Sequence, residues 1–378
     1  MSRQSVLLLI ASYADSIVGF RGDLIRAARD EGWEVVVAAP EITTDIRLAI
    51  EGLGATTRQI PLVRTGLNPL RDIQSLLSLC KLIKDVAPTT VLTYTIKPCI
   101  YGQIAARLMG CERRVALITG LGYAFTGTRK GLAGGLKWLL MQLYRLALSG
   151  SQQVVFQNAD DRQLFVELGL VAYAKTEVVN GSGVNLQHFH QVALKPFPPV
   201  SFLFIARMLA DKGLRELVAA MSQLKRQFPA CQLHLVGWFD DNPAGITETE
   251  LRHWQDQQLV VFHGKQKDVR PFIESCHVFV LPSYREGMPR TVLEAMAMGR
   301  AIITTDAPGC RQTIEDGQSG FMVNVADVDE LAEAMFRFCQ NPNLIKTMGA
   351  AARARAEAHF DVNKINQDML KFIKGDVG

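Results

Sequence analysis

The stretch VFVLPSYREGMPRTVLEAMAMGRAIITT, residues 278–305, decides the fold. Its opening VFVLP (278–282) is an apolar, β-branched and aromatic run of strand length that ends at a proline. A short polar loop carrying Glu286 and Gly287 follows. A helix is predicted to start near Pro289, because proline is tolerated in a first helical turn. After Gly299 a second apolar run, from Ala301 to Thr304, reads as another strand. Strand, loop, helix, strand is the unit of a parallel sheet covered by helices.

The same stretch carries chemistry. Glu286 stands at the carboxyl end of the first strand, and Glu294 falls eight residues later, about one turn inside the helix. Backbone amides between them can meet a phosphate, since a helix start offers unpaired N–H groups and positive potential. Carboxylates accept hydrogen bonds from hydroxyls, so the pair suits two polyols at either end of a diphosphate. A solvent-exposed Glu286 and a helix-capping Glu294 are the plainer alternative, and this stretch alone leaves both open.

The rhythm continues on both sides. Toward the N-terminus, strands are predicted at Val6–Ala11, Glu34–Ala39, Thr57–Ile60, Thr90–Tyr94, Arg114–Thr119 and Gln153–Gln157. Helices intervene, among them Phe20–Glu31 and Pro69–Val86. LKPFPPV (194–200) breaks the pattern and reads as a linker. Strands then resume at Ser201–Ala206, Gln232–Val236 and Val260–His263. The reading is therefore α/β, with two doubly wound, Rossmann-like domains, residues 1–195 and 196–360, facing across a cleft. The last helix, about 361–378, is expected to pack back onto the first domain.

In SFLFIARMLADKGLRELVAAM (201–221) a buried strand runs into Arg207, and Lys212–Gly213 precedes an amphipathic helix. Two cations around a strand-to-helix turn, on the same side of the domain as the Glu286 loop, would neutralise a leaving diphosphate without a metal. A surface arginine and a helix-start lysine are the alternative for either residue alone. Both elements in one domain and in this order argue against coincidence.

Other phosphate chemistries are disfavoured. There is no G-x-x-x-x-G-K-[ST] loop, and no G-x-G-x-x-G follows the first strand; Gly120–Gly122 lacks the third glycine. Asp327-Val-Asp329 matches the D-x-D pattern of metal-dependent sugar transferases, but it precedes ELAEAMFRF, where a helix cap is the better expectation. No metal and no other cofactor is expected. Of the seven histidines, those at 188, 190, 263 and 277 show no ligand spacing. Seven scattered cysteines with no C-x-x-C pair argue for a reducing compartment, the cytoplasm. The apolar run near the N-terminus is too short for a signal peptide and reads as a buried strand, and no stretch is long enough to span a membrane.

Charge is unevenly placed. The net charge is only +4, yet no acidic residue occurs from Arg113 to Ala159, where Arg113, Arg114, Arg129, Lys130, Lys137 and Arg145 mix with Trp138, Leu139 and Tyr144. Such a stretch suits lipid headgroups or phosphate, and it predicts peripheral attachment through residues 113–159. An ordinary helix with a basic solvent face is the competing reading. Nucleic acid is not expected as a partner.

These residues resemble a known family: the retaining glycosyltransferases of family 4, with the GT-B fold. The resemblance rests on Arg-x-x-x-x-Lys-Gly, Arg207 to Gly213, and on E-x7-E, Glu286 to Glu294. It extends through VVNGSGVNLQHF (178–189), LHLVGW (233–238), VFHGKQKDVRPFIESCHVFVLPS (261–283) and DGQSGFMV (316–323). Two N-terminal segments, 15–40 and 93–110, look like the branch that builds polyprenyl-linked or cell-surface glycans. The resemblance implies that Arg207 and Lys212 bind and stabilise the leaving nucleotide diphosphate. Glu286, with amides of Gly287 and Met288, would hold donor-sugar hydroxyls; Thr291 and Val292 would offer amides to phosphate; Glu294 would accept the ribose hydroxyls. It further implies front-face attack with retention. Asn185 departs from the aspartate found in many relatives.

On the first domain, Ser12 to Arg21 is expected to be a polar loop after the first strand. Arg21 and Lys97 are the candidates for an acceptor phosphate, with surface salt bridges as the alternative. The expected activity is transfer of a hexose or N-acetylhexosamine from a nucleotide sugar, UDP before GDP, to a polyprenyl-diphosphate-linked saccharide on the inner face of the cell membrane. The alternatives are a soluble transferase for a small or polymeric acceptor and an inactive nucleotide-sugar-binding partner of an assembly complex.

Overall fold

The structure is a computed structural model that describes residues 4–63, 68–121, 132–239 and 244–376. Its contacts divide the chain into two units, residues 1–182 with 363–378, and residues 183–362.

The first unit holds a parallel sheet of seven strands, in the order β3-β2-β1-β4-β5-β6-β7. These are β1 Val6–Ile10, β2 Glu34–Ala39, β3 Thr56–Gln59, β4 Thr90–Tyr94, β5 Arg113–Ile118, β6 Gln153–Phe156 and β7 Thr176–Val178. Successive side chains of a strand point to opposite faces, and both faces are buried here. Leu7 and Leu9 join one core with Leu24 and Ile25 of the helix Asp15–Asp30. Leu8 and Ile10 join the other with Leu79 and Ile83 of the helix Pro69–Val86.

The helix Val362–Lys374 completes this unit: Ile365, Met369, Leu370 and Ile373 are buried in the first of those cores. Arg113 Nε donates to Phe372 O at 2.6 Å, and Lys374 pairs with Glu31 at 2.6 Å.

The second unit holds a parallel sheet of six strands, in the order β10-β9-β8-β11-β12-β13. These are β8 Ser201–Ile205, β9 Gln232–Val236, β10 Val261–Phe262, β11 Val278–Leu281, β12 Ala301–Thr305 and β13 Gly320–Val323. Its core joins these strands to the helices Leu214–Lys225, Arg290–Ala297 and Val328–Gln340.

Three expectations change. The edge strands β7 and β13 were not legible: β7 has three residues, and β13 opens on Gly320, where a Cβ would come 2.1 Å from Ile302 O. The first helix begins at Asp15, so the loop expected from Ser12 to Arg21 is mostly helix, and Arg21 is buried in it. The proline-rich stretch lies within the second unit, since His277 Nε2 reaches Lys195 O at 3.2 Å and Leu194 packs on that unit's core. The division falls earlier, next to Gly183, whose φ of +70° and 2.6 Å Cβ approach to Val362 Cα admit no larger residue.

Candidate functional site

In the second sheet β8 and β11 are neighbours, and the chain winds outward from them in both directions: β9 and β10 to one side, β12 and β13 to the other. Where winding reverses in an open α/β sheet, the carboxyl ends of the two central strands are the usual place for a ligand. Of the residues singled out in the sequence, Arg207, Lys212, Glu286, Gly287 and Met288 lie on these two turns, Thr291, Val292 and Glu294 lie on the helix that follows the second, and Arg21 and Lys97 belong to the first unit.

After β8 the chain passes Arg207, makes a short 3₁₀ turn at Ala210–Lys212, and enters the helix Leu214–Lys225 through Gly213. Gly213 has φ +70°, and a Cβ there would lie 2.0 Å from Pro282 O. Only glycine lets the turn after β8 touch the end of β11 so closely. The turns are then joined by a hydrogen bond from Tyr284 N to Asp211 O at 2.9 Å, and Ser283 Oγ lies 3.3 Å from the same carbonyl oxygen.

This contact brings Lys212 Nζ to 2.5 Å from Glu286 Oε1, and Ser283 Oγ donates to the same carboxylate oxygen at 2.7 Å. Both charged side chains are sheltered, 13% and 18% exposed. The Glu286 loop is fixed from its other flank as well: Glu286 N donates to Pro308 O at 2.9 Å. At Gly309, with φ +81°, a Cβ would sit 2.2 Å from Glu286 O. The ammonium has three donor hydrogens, and Glu286 uses one. The others can meet phosphate oxygens while the second carboxylate oxygen of Glu286 accepts from a sugar hydroxyl.

Glu294 lies in the helix Arg290–Ala297 and is buried, with Arg290 Nε donating to its Oε1 at 2.9 Å. Burial pushes its carboxyl above the usual carboxylate range, and Arg290 pulls part of that back. The helix starts at Pro289 without a side-chain cap. Val292 N already donates to Pro289 O at 3.0 Å, and Thr291 stands half-buried at the same helix start. The Met288 and Val292 side chains belong to the core. Gly287 and Arg207 are half-buried on the two turns.

Two partners were not picked out from sequence. Arg290 was legible in principle, as the i,i+4 mate of Glu294 on a helix. Ser283 had no signal, because its role depends on how the Glu286 loop folds back.

In the first unit the sheet order likewise reverses between β1 and β4. Ser12 Oγ and Thr95 Oγ1, at the ends of those strands, are hydrogen-bonded at 2.7 Å. Lys97 pairs with Asp72 at 2.8 Å, both nearly buried. Arg21 lies over the Tyr94 ring, 5.2 Å from its centroid. Asp72 also acts on Tyr101, whose hydroxyl is raised to about 12, first by burial and then by that carboxylate.

Asp327 Oδ1 accepts from Glu330 N at 2.9 Å and caps the helix Val328–Gln340, as expected for D-x-D here. Asn185 Oδ1 accepts from Gln187 N and His188 N, closing its own turn. The basic stretch is only partly available for a partner. Arg113 and Arg114 are hydrogen-bonded to backbone carbonyls, Arg114 Nε to Gly150 O at 2.7 Å. Arg129, Lys130 and Gly122 lie outside the described residues. No helix among the described residues is long and apolar enough to cross a membrane.

The family model of glycosyl transferases group 1 matches residues 199–341, and a glycosyl transferase 4-like model matches residues 5–158. The chain is 28% identical over 370 residues to a Campylobacter jejuni N,N'-diacetylbacillosaminyl-diphospho-undecaprenol alpha-1,3-N-acetylgalactosaminyltransferase, covering 94% of this chain and 95% of that one. It is 25% identical over 321 residues to an Escherichia coli UDP-Gal:alpha-D-GlcNAc-diphosphoundecaprenol alpha-1,3-galactosyltransferase, covering 81% and 80%. In fold it matches a sucrose-phosphate synthase from Thermosynechococcus elongatus with a TM-score of 0.82 at 20% identity, covering 98% and 99%. Anabaena HepE in complex with UDP matches with a TM-score of 0.76 at 17% identity, covering 98% and 100%. With both of its units matched and the Arg207–Gly213 and Glu286–Glu294 elements meeting at one sheet reversal, this chain belongs to the group 1 and 4-like glycosyltransferases of the GT-B fold.

Proposed function

We propose that the protein transfers a hexose or N-acetylhexosamine from a UDP-sugar to a polyprenyl-diphosphate-linked saccharide, with retention, at the cytoplasmic face of the membrane. The observation that carries the donor half is the Lys212–Glu286 contact, with Glu294 buried on the helix that follows. Lys212 and Arg207 take the diphosphate, the Thr291 amide adds to the phosphate site, Glu286 and the Gly287 amide hold the sugar, and Glu294 accepts the ribose hydroxyls. The acceptor half is supported by the full-length similarity to the Campylobacter enzyme. Arg21 and Lys97, beside the reversal of the first sheet, are proposed to set the electrostatics of the acceptor's phosphates, with Asp72 holding Lys97 in place.

In the reaction the bond from the anomeric carbon to the diphosphate oxygen breaks, and the electron pair stays on the phosphate. The acceptor hydroxyl oxygen bonds to that carbon from the same face. Its proton passes to the departing phosphate oxygen. Lys212 stabilises the charge that develops there, which requires no metal and no other cofactor.

The test is transfer by the purified chain from each UDP- and GDP-linked hexose and N-acetylhexosamine to a polyprenyl-diphosphate disaccharide. Product mass and anomeric coupling are the readouts. One UDP-sugar giving a product lengthened by one residue, with the donor's anomeric configuration, is the expected result. Transfer only to a water-soluble glycan would refute the acceptor assignment, and donor binding without any transfer would refute the activity.

A further inference from the structure

The helices Pro69–Val86, Gln103–Leu108 and Leu132–Ser149 lie side by side on one face of the N-terminal sheet: Leu79, Ile83, Ala105, Ala106, Tyr144 and Leu148 share a single core beneath them. Their outward faces are unusual for a protein that meets only water. On the first helix Leu70, Ile73 and Leu77 are exposed, Leu70 by 80% and Leu77 by 64%. The spacing i, i+3, i+7 places them on one stripe. Trp138, 62% exposed, stands out from the Leu132–Ser149 helix with Leu139 and Leu146. Large side chains clustered on one outer layer mark a contact surface rather than scattered surface apolarity.

The charges on this layer identify what it contacts. The stripe of Leu70, Ile73 and Leu77 continues along the same helix face into exposed Lys81 and Lys84. Arg71 and Lys137 add to it, and none of the ion pairs found among the described residues engages any of these four cations. Acid is almost absent: the helices Gln103–Leu108 and Leu132–Ser149 contain none. On Pro69–Val86, Asp72 is buried against Lys97, which leaves Asp85 exposed. A second copy of the chain is a poor occupant, because a twofold contact would set these cations against one another. Apolar side chains flanked by lysines, with a tryptophan among them, match the boundary between acyl chains and anionic headgroups.

We propose that this three-helix layer docks on an anionic lipid bilayer, with Leu70, Ile73, Leu77, Trp138 and Leu139 entering the interface and Lys81 and Lys84 meeting headgroup phosphates. The docking helix is thus Pro69–Val86 as much as Leu132–Ser149, and Arg113 and Arg114 take no part. The proposal rests on the lipid-linked acceptor proposed above for its purpose, but not for its test.

The experiment is flotation of the full chain with phosphatidylcholine vesicles and with vesicles of phosphatidylglycerol and phosphatidylcholine. Wild type is compared with Leu70→Glu/Leu77→Glu, with Lys81→Glu/Lys84→Glu, and with Arg252→Glu, an exposed control on the second unit. Wild type and the control should float with the anionic vesicles, and both double variants should lose at least tenfold in the bound fraction. A blue shift of tryptophan emission on adding anionic vesicles, removed by Trp138→Phe, would place that side chain in the interface. The double variants should keep the wild-type melting temperature and donor binding, since every changed side chain is exposed. Equal flotation of wild type and Leu70→Glu/Leu77→Glu would overturn the proposal. So would a concentration-dependent dimer of wild type that Leu70→Glu/Leu77→Glu abolishes. Flotation without transfer to the lipid-linked acceptor would leave the docking surface standing and remove only the acceptor reading.

Discussion

Lys212 Nζ and Glu286 Oε1 are 2.5 Å apart, although 74 residues separate them in the chain. They meet because β8 and β11 are neighbours in the sheet and because the turn after each strand is held against the other through Gly213 and Pro282. An ammonium so placed is oriented before a substrate arrives, and preorganised charge is what stabilises a leaving group at least cost.

Lys212→Ala is therefore expected to lower kcat by about a hundred- to a thousandfold, the range seen when one preorganised donor to developing charge is removed. Lys212→Arg should recover part of the loss. Steady-state transfer assays check this, and activity within a few-fold of wild type for the alanine variant would refute the diphosphate assignment.

Gly213→Ala should destabilise the protein by at least about 2 kcal/mol, because a non-glycine residue is strained at positive φ and its Cβ would collide with Pro282 O. Urea unfolding measures the stability. A nucleotide titration should show weaker donor binding, since Lys212 and Glu286 would be pushed apart.

Glu294→Gln tests the buried carboxyl. Its pKa is raised in the folded chain, so between the ordinary value and the raised one the folded state holds a proton that the unfolded chain releases. Wild-type stability thus falls as pH rises through that window, and the cost persists above it. The variant has no such group, so its melting temperature should gain on wild type as pH rises above the ordinary carboxylate range. Binding of UDP by wild type should strengthen as the carboxyl ionises, since a carboxylate is the better acceptor of ribose hydroxyls, and the variant should lack that pH dependence. A melting-temperature gap that does not change with pH would contradict the assigned direction.

Asp327→Ala should cost about 1 kcal/mol, the usual worth of a helix N-cap, and leave turnover unchanged with or without a chelator. A collapse of turnover in this variant, rescued by a divalent cation, would instead make D-x-D a metal ligand.

The central strands and the two motif-bearing turns were legible because their signals are local. An apolar run such as Val278–Leu281 declares a buried strand, and Glu286 and Glu294 sit at fixed offsets from it. The helix Pro69–Val86 was legible to both ends, opened by its Asn68 cap and Pro69. The edge strands β7 and β13 were not, since a few residues at a sheet border carry too little periodicity.

By itself, then, the sequence determined two parallel-sheet domains, the identity of the charged residues after β8 and β11, and the helix cap at Asp327, all of which follow from short-range pattern. Tertiary structure alone decided that Ser283 and Lys212 share one oxygen of Glu286, that Lys97 is closed by Asp72, and that Arg113 and Arg114 are spent on carbonyls. It also left the Leu70 stripe facing outward. Each of these depends on which strands lie side by side and which helix face the core consumes, and no local pattern encodes that choice.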